Sequence, residues 1–353
     1  MRNPLKRFQR AAAESATVGD LLSGASPGRV QSVGRMQVLP LLARDAPTAE
    51  LGDPAQLVIA TGDYGTLSFR NDGGGPALVP SHLAVMVSQA AQDHAMPRAT
   101  LVAAGAELSY RFAMCIQQSQ GGLISSGSHR LAVLPPALRE AASLLPAKPG
   151  YDRLWPAVSR FKASAGLPGS ADLVRFMKHF ATELDRFTAE FECVEDQIGA
   201  VVLMDGAVVG VERAPSHAYW RSMWEPLIRF CYGAEAVRRG VAGDSPANLS
   251  TRVPLTRPVA GGDGAGGDGA DVLALLADAV RDADAREQRA VETVAGVTAD
   301  ESVVVGVDEA IDGIAVGTVV GDGLMGAYAL DGDTPVYASL TARNTLELSA
   351  TPA

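Results

Sequence analysis

Glu212 is the residue of this 353-residue chain best placed by its spacing to do acid–base chemistry. It ends the apolar run 208–212, which follows the run 198–203 across the turn Asp205-Gly206. Two short apolar runs joined by Asp-Gly predict a β-hairpin. Hairpin ends meet in space, so Gln197, preceded by Glu195 and Asp196, should lie near Glu212 and Arg213. A helix capped by Ser216 would bring up Tyr219, Trp220 and Glu225. Carboxylates beside an amide and aromatic rings could bind a sugar or nucleoside, or transfer protons if one carboxyl stayed protonated near neutrality. Glu212 is therefore the catalytic candidate, with Gln197 and Trp220 as candidate ligand contacts. The competing reading is a hairpin end with solvated charges and an aromatic helix face packed in the core.

Other residues offer weaker chemistry. Gln117-Gln118-Ser119-Gln120-Gly121-Gly122 follows a predicted buried strand, and polar strand ends often carry binding residues, which makes Gln117 a candidate beside the plain-loop alternative. His82 and His94 sit in a β-rich stretch with Gln89, Gln92 and Asp93 and could converge across a hairpin; ordinary strand histidines are the alternative. No histidine forms H-E-x-x-H or a comparable pair, so no metal site is assigned. Cys115 with a distant histidine is a pairing that any chain of this size offers. Ser125-Ser126-Gly127-Ser128 does not match G-x-S-x-G. The Gly-Asp repeats over 261–269 lack the regular carboxylates of a calcium turn and read as a solvated linker. Phosphate-binding glycine motifs are missing as well, and no cofactor is assigned.

These residues need a folded scaffold, and the composition supplies one. The chain is 47% hydrophobic with a mean hydropathy of +0.10, which excludes a wholly disordered protein. No apolar run reaches the roughly 18–20 residues of a membrane helix. The net charge of −10 matches the excess of 13 acidic residues over three arginines between positions 261 and 312, so the remainder is balanced. An acidic balance disfavours general binding to nucleic-acid phosphates. Three cysteines without C-x-x-C spacing read as reduced thiols of a cytoplasmic protein. The basic N-terminus lacks a continuous apolar signal segment and reads as an amphipathic helix with Leu5, Phe8 and Ala12 on one face.

The patterning predicts an α+β fold. Short strands at about ten-residue intervals between 29 and 133 suggest a sandwich- or barrel-like sheet. The turn Asn71-Asp72-Gly73-Gly74-Gly75-Pro76 punctuates them. Helices are predicted near 136–145 and 151–161. A single helix over 171–190, capped by Ser170, has an apolar stripe from Leu173 to Phe187. After the hairpin, the aromatic helix should kink or restart at Pro226. A helix over 271–295, with Val272, Leu275, Leu276, Ala279 and Val280 inward, precedes strands at 302–307, 314–320, 324–329 and 336–340. The boundaries expected are an N-terminal arm (1–25), a β-rich half (26–145), a helix–hairpin–helix half (146–242), a glycine-rich linker (243–270) and a helix with a small C-terminal sheet (271–345). Residues 26–345 read as one composite domain.

Four stretches carry a family resemblance. They are Gly34-Arg35-Met36-Gln37-Val38-Leu39-Pro40-Leu41; Gly65-Thr66-Leu67-Ser68-Phe69-Arg70-Asn71 with Pro76-Ala77-Leu78-Val79; Arg111-Phe112-Ala113-Met114-Cys115-Ile116-Gln117; and 197–206 with Gly210-Val211-Glu212 and the aromatic helix to Tyr232. In this order they resemble the bacterial family of the ARG and Rhodanese-Phosphatase-superfamily-associated Protein domain, over roughly residues 30–340. The resemblance implies a setting of nucleotide-derived or phosphate-ester chemistry and adds Asn71 and His94 to the candidate ligand contacts. Gln117 stands where the family usually has an acid, and Gln92-Asp93-His94 replaces a Gln-Asn-Arg-like stretch. The function expected is a cytoplasmic binding or adaptor protein that recognises a protein partner or a nucleotide-like small molecule. The alternatives are a hydrolase or transferase working through Glu212, and a structural subunit that forms a homo-oligomer or larger assembly.

Overall fold

The computed structural model describes residues 14–43, 45–61, 63–87, 93–119, 129–145, 150–242 and 269–343. The expected helix around Leu5, Phe8 and Ala12 and the linker repeats at 261–268 lie outside these residues, as do Gln89, Gln92 and 120–128. Strand β1 (Glu14–Thr17) runs into helix α1 (Val18–Leu21), where Thr17 and Asp20 form a capping box. Strands β2 (Ser26–Pro27), β3 (Gln31–Val33) and β4 (Met36–Leu42) follow. The predicted run of short strands then appears as β5 (Val58–Thr61), β6 (Leu67–Arg70), β7 (Ala77–Val79), β8 (Leu83–Val87), β9 (His94–Ala95), β10 (Thr100–Val102), β11 (Glu107–Tyr110), β12 (Met114–Cys115) and β13 (His129–Val133).

Helices α2 (Pro136–Leu144) and α3 (Trp155–Ser164) come next. The helix expected over 171–190 is two: α4 (Leu173–His179) and α5 (Ala181–Glu190), broken at Phe180. Phe180 turns inward against Phe176, with ring centroids 4.9 Å apart. The cap is Asp172 rather than Ser170. Its carboxylate accepts from Arg175 N–H at 2.8 Å, while the Ser170 carbonyl accepts from Lys162 Nζ at 2.6 Å.

The hairpin forms as predicted, from β14 (Gln197–Met204) and β15 (Ala207–Arg213). Asp205 and Gly206 have φ of 53° and 81°, the paired positive values of a type I′ turn. Ser216 caps α6 (His217–Glu225), and at Pro226 the chain passes into a π-helix, Pro226–Gly233, before α7 (Ala234–Ala242). Helix α8 spans Gly269–Asp300; the side chains expected to face inward at 272–280 lie outside the described residues. Strands β16 (Ser302–Ile311), β17 (Ile314–Gly321), β18 (Leu324–Asp331) and β19 (Thr334–Ala342) close the chain.

One large antiparallel sheet organises the molecule, in the order β1-β16-β17-β18-β19-β15-β14-β4-β2, with β3 also pairing with β4. The C-terminal strands enlarge the hairpin's sheet through the β19–β15 pairing. Three smaller sheets have the orders β10-β7, β11-β6-β5 and β12-β9-β8-β13, and the described strands close no barrel. Alternation along β4 and β14 sends side chains to two cores. Leu39, Leu41, Val201 and Leu203 pack with α1 and with Ala290 and Val294 of α8. Val38, Ala200, Val202 and Met204 face the other helices and the small sheets. Strand β14 is buried along its whole length because both faces are covered. No helix among the described residues is long and apolar enough to cross a membrane.

Candidate functional site

Glu212 sits near the end of β15, opposite Ala200 of β14 and Ser339 of β19. It is buried, with only 4% of its side chain exposed. Arg139, fully buried on α2, donates from Nη1 to Glu212 Oε1 at 2.6 Å and from Nη2 to Ser339 Oγ at 2.6 Å. Tyr232 of the π-helix donates its hydroxyl to the same Glu212 oxygen at 2.6 Å. Burial works against the Arg139 charge, but the Glu212 carboxylate, together with Tyr232 and Cys231, outweighs it and holds the guanidinium pKa well above its ordinary value. Burial, then the Glu212 charge, pushes Tyr232 well above the usual phenol range. The Cys231 thiol is pushed up to about 12, chiefly by burial. Gly210 makes room for the tyrosine, since a Cβ there would overlap the Tyr232 hydroxyl. The centre is a closed ion pair with a hydroxyl on each partner.

A cavity of about 20 Å³ adjoins it, lined by Ser81, Glu212, Trp220 and Tyr337 among others. That is room for about one water molecule. Ser81, Trp220 and Tyr337 are buried along its lining, with the Tyr337 hydroxyl bonded to Ser339 and Ser81. Burial, followed by the Glu212 charge, raises Tyr337 to about 12. As it stands, the space fits a water and not a nucleoside.

The structure brings Glu212 and Trp220 to one cavity, but Gln197 does not join them. Gln197 Oε1 accepts from Val194 N–H at 3.0 Å, and its Nε2 donates to the Gly199 carbonyl at 2.9 Å. The side chain thus closes its own turn, while its carbonyl accepts from His217 Nδ1 at 2.7 Å. Glu225 faces outward and pairs with Arg130 at 3.1 Å. Tyr219 donates to the Leu78 carbonyl at 3.0 Å.

The remaining candidates lie elsewhere. Asn71 uses its amide to tie the loop, donating to the Gly75 and Val102 carbonyls at 2.9 Å each and accepting from Gly73 N–H at 2.9 Å. His94 is buried opposite Cys115, and its Nε2 accepts from Gly65 N–H at 3.0 Å. Cys115 donates to the Gln117 carbonyl at 3.3 Å, and burial raises its pKa, which suits an inert thiol rather than a nucleophile. Gln117 bridges to Asp172, donating to its carboxylate at 3.4 Å. His82 and His94 take different partners: the His82 ring contacts Ser143 Oγ at 3.0 Å, and His94 takes the Gly65 N–H. Among the described residues no group of three or more His, Cys, Asp or Glu side chains is arranged to hold a metal ion.

Reading the sequence missed Arg139, Tyr232, Ser339 and Tyr337. Arg139 and Glu140 within the mostly apolar α2 were the available signal, since a buried charge demands a partner.

A family model described as the ARG and Rhodanese-Phosphatase-superfamily-associated Protein domain matches residues 24–291, well over half of the chain, and the chain belongs to that family. The match ends within α8, so β16–β19 lie beyond it. The family's name associates the chain with rhodanese- and phosphatase-superfamily systems. No curated protein and no solved structure matches the chain.

Proposed function

We propose that this chain is a binding or adaptor protein, without turnover of its own, in a cytoplasmic conflict or stress system of bacteria concerned with nucleotide-derived or phosphate-ester compounds. The observation that carries this reading is the state of Glu212. A general acid or base must reach the proton it transfers. Glu212 is clamped at 2.6 Å by both Arg139 and Tyr232, beside a space of about 20 Å³. Such a carboxylate fixes β15, α2 and the π-helix to one another. Free cysteines at 115, 193 and 231 accord with a reducing compartment.

Native mass spectrometry of the gently purified full chain, followed by incubation with ADP-ribose and simple phosphate monoesters, tests the reading. The expected result is a retained small molecule or protein partner with no product formed. Product formation that Glu212→Gln abolishes in a folded protein would replace this reading with the hydrolase or transferase alternative.

A further inference from the structure

A second cavity, of about 230 Å³, opens between α2, the segment around Arg153, the β-rich layer and strands β17 and β18. One of its lining residues carries a buried ring nitrogen without a partner, His82 Nδ1. A buried polar atom without a partner is costly, so His82 Nδ1 marks a group that something else satisfies. His82 also holds a φ of 62°, a left-handed conformation that a side chain adopts at a cost.

The lining also carries two cations. Arg98 is exposed at the rim, with its guanidinium 5.9 Å from the Tyr110 ring centroid. Arg153 is fixed in place by donating to the Gly150 carbonyl at 2.5 Å and the Phe112 carbonyl at 3.0 Å. Both charges act on the Tyr110 hydroxyl, opposing the rise in its pKa that burial causes. Two guanidiniums around a phenol and a serine hydroxyl form a donor set for a phosphate. The lining also supplies an acceptor, Asp308, whose carboxylate takes the Thr318 hydroxyl at 2.6 Å. Leu145 and Met325 add apolar surface. The volume lies below the roughly 300–1,000 Å³ of sites for drug-sized ligands, which excludes a dinucleotide and suits a single sugar ring.

We propose that this cavity binds a phosphorylated polyol the size of a pentose monophosphate, with its phosphate on Arg98, Arg153 and Tyr110 and a hydroxyl on Asp308. The assignment rests on the binding reading above and narrows its ligand from a nucleotide-like compound to a sugar phosphate.

Calorimetric titration of the full chain with ribose 5-phosphate, ribose and inorganic phosphate tests it, on the natural sequence and on Arg98→Gln and Asp308→Asn. Both substitutions change a side chain outside the packed core. Ribose 5-phosphate should bind more tightly than inorganic phosphate, and ribose should give no heat. Arg98→Gln should weaken ribose 5-phosphate about tenfold or more, the loss of one charged hydrogen bond. Asp308→Asn should weaken it while leaving inorganic phosphate unchanged. No binding at about 1 mM ligand would overturn the proposal. So would equal affinity for inorganic phosphate. Binding that neither substitution alters would overturn this site and leave the binding reading standing. Hydrolysis of ribose 5-phosphate with its Arg98 dependence intact would keep the site and overturn the non-catalytic reading.

Discussion

Arg139 Nη1 lies 2.6 Å from Glu212 Oε1, and neither side chain is more than 4% exposed. The pair joins α2 to the central strand β15, and Tyr232 brings in the π-helix. An uncompensated charge at that depth is costly, whereas an apolar replacement of both partners is tolerated far better. Arg139→Met alone and Glu212→Leu alone should each lower stability by about 3–5 kcal/mol, and the double variant should lose far less than their sum. Urea unfolding of the four proteins gives the coupling. Additive losses would show that the pair is not the tie described.

His82 makes stability depend on pH. Burial first, and the Arg139 charge second, hold its folded pKa well below the ordinary 6.5. Between the folded value and 6.5 the unfolded chain binds the proton and the folded chain does not. This contribution is therefore absent above about pH 6.5, and stability falls as the pH drops below it, by at most about 1.4 kcal/mol per pH unit. His82→Asn keeps a side chain that tolerates the φ of 62° and removes the titration. Unfolding profiles from about pH 7.5 to 5 should diverge as the pH falls, with the natural protein losing more. Parallel profiles would rule His82 out as the source.

Asn71 is the knot of its turn. Its side chain makes three hydrogen bonds, to Gly75, Val102 and Gly73. Asn71→Ala strands the Val102 carbonyl in a buried position and should cost about 1–3 kcal/mol. Denaturation measures the loss, and titration with ribose 5-phosphate should remain unchanged. A loss of binding without a loss of stability would make Asn71 a ligand contact after all.

The three thiols should react unequally. Cys115 and Cys231 are buried and Cys193 is half-buried. Burial raises all three pKa values, that of Cys231 to about 12. Iodoacetamide at neutral pH should therefore modify Cys193 first and leave the other two until urea is added. Rapid native labelling of Cys115 would revive it as a nucleophile.

Local signals made much of the fold legible. Asp205-Gly206 between apolar runs placed the hairpin, Ser216 and Pro226 placed the aromatic helix and its change of winding, and regular turns placed the short strands. The break at Phe180 was not legible, because the apolar stripe runs through it from α4 into α5. Half of the hairpin constellation was legible. Trp220 reaches the Glu212 cavity because α6 follows β15 directly. Gln197 fails because Ala200, not Gln197, lies opposite Glu212, and the register breaks between Gln197 and Gly199, where the Gln197 side chain closes its own turn on Val194 and Gly199. Arg139 pairs with Glu212 across 73 positions, a contact that tertiary packing sets and no neighbouring residue announces.

The central claim is binding without turnover, and phosphorus NMR of ribose 5-phosphate with the full chain tests both halves at once. The account predicts a broadened or shifted phosphate signal that Arg98→Gln restores towards that of the free ligand, with no new signal on prolonged incubation. A growing inorganic phosphate signal that disappears in Glu212→Gln would contradict it.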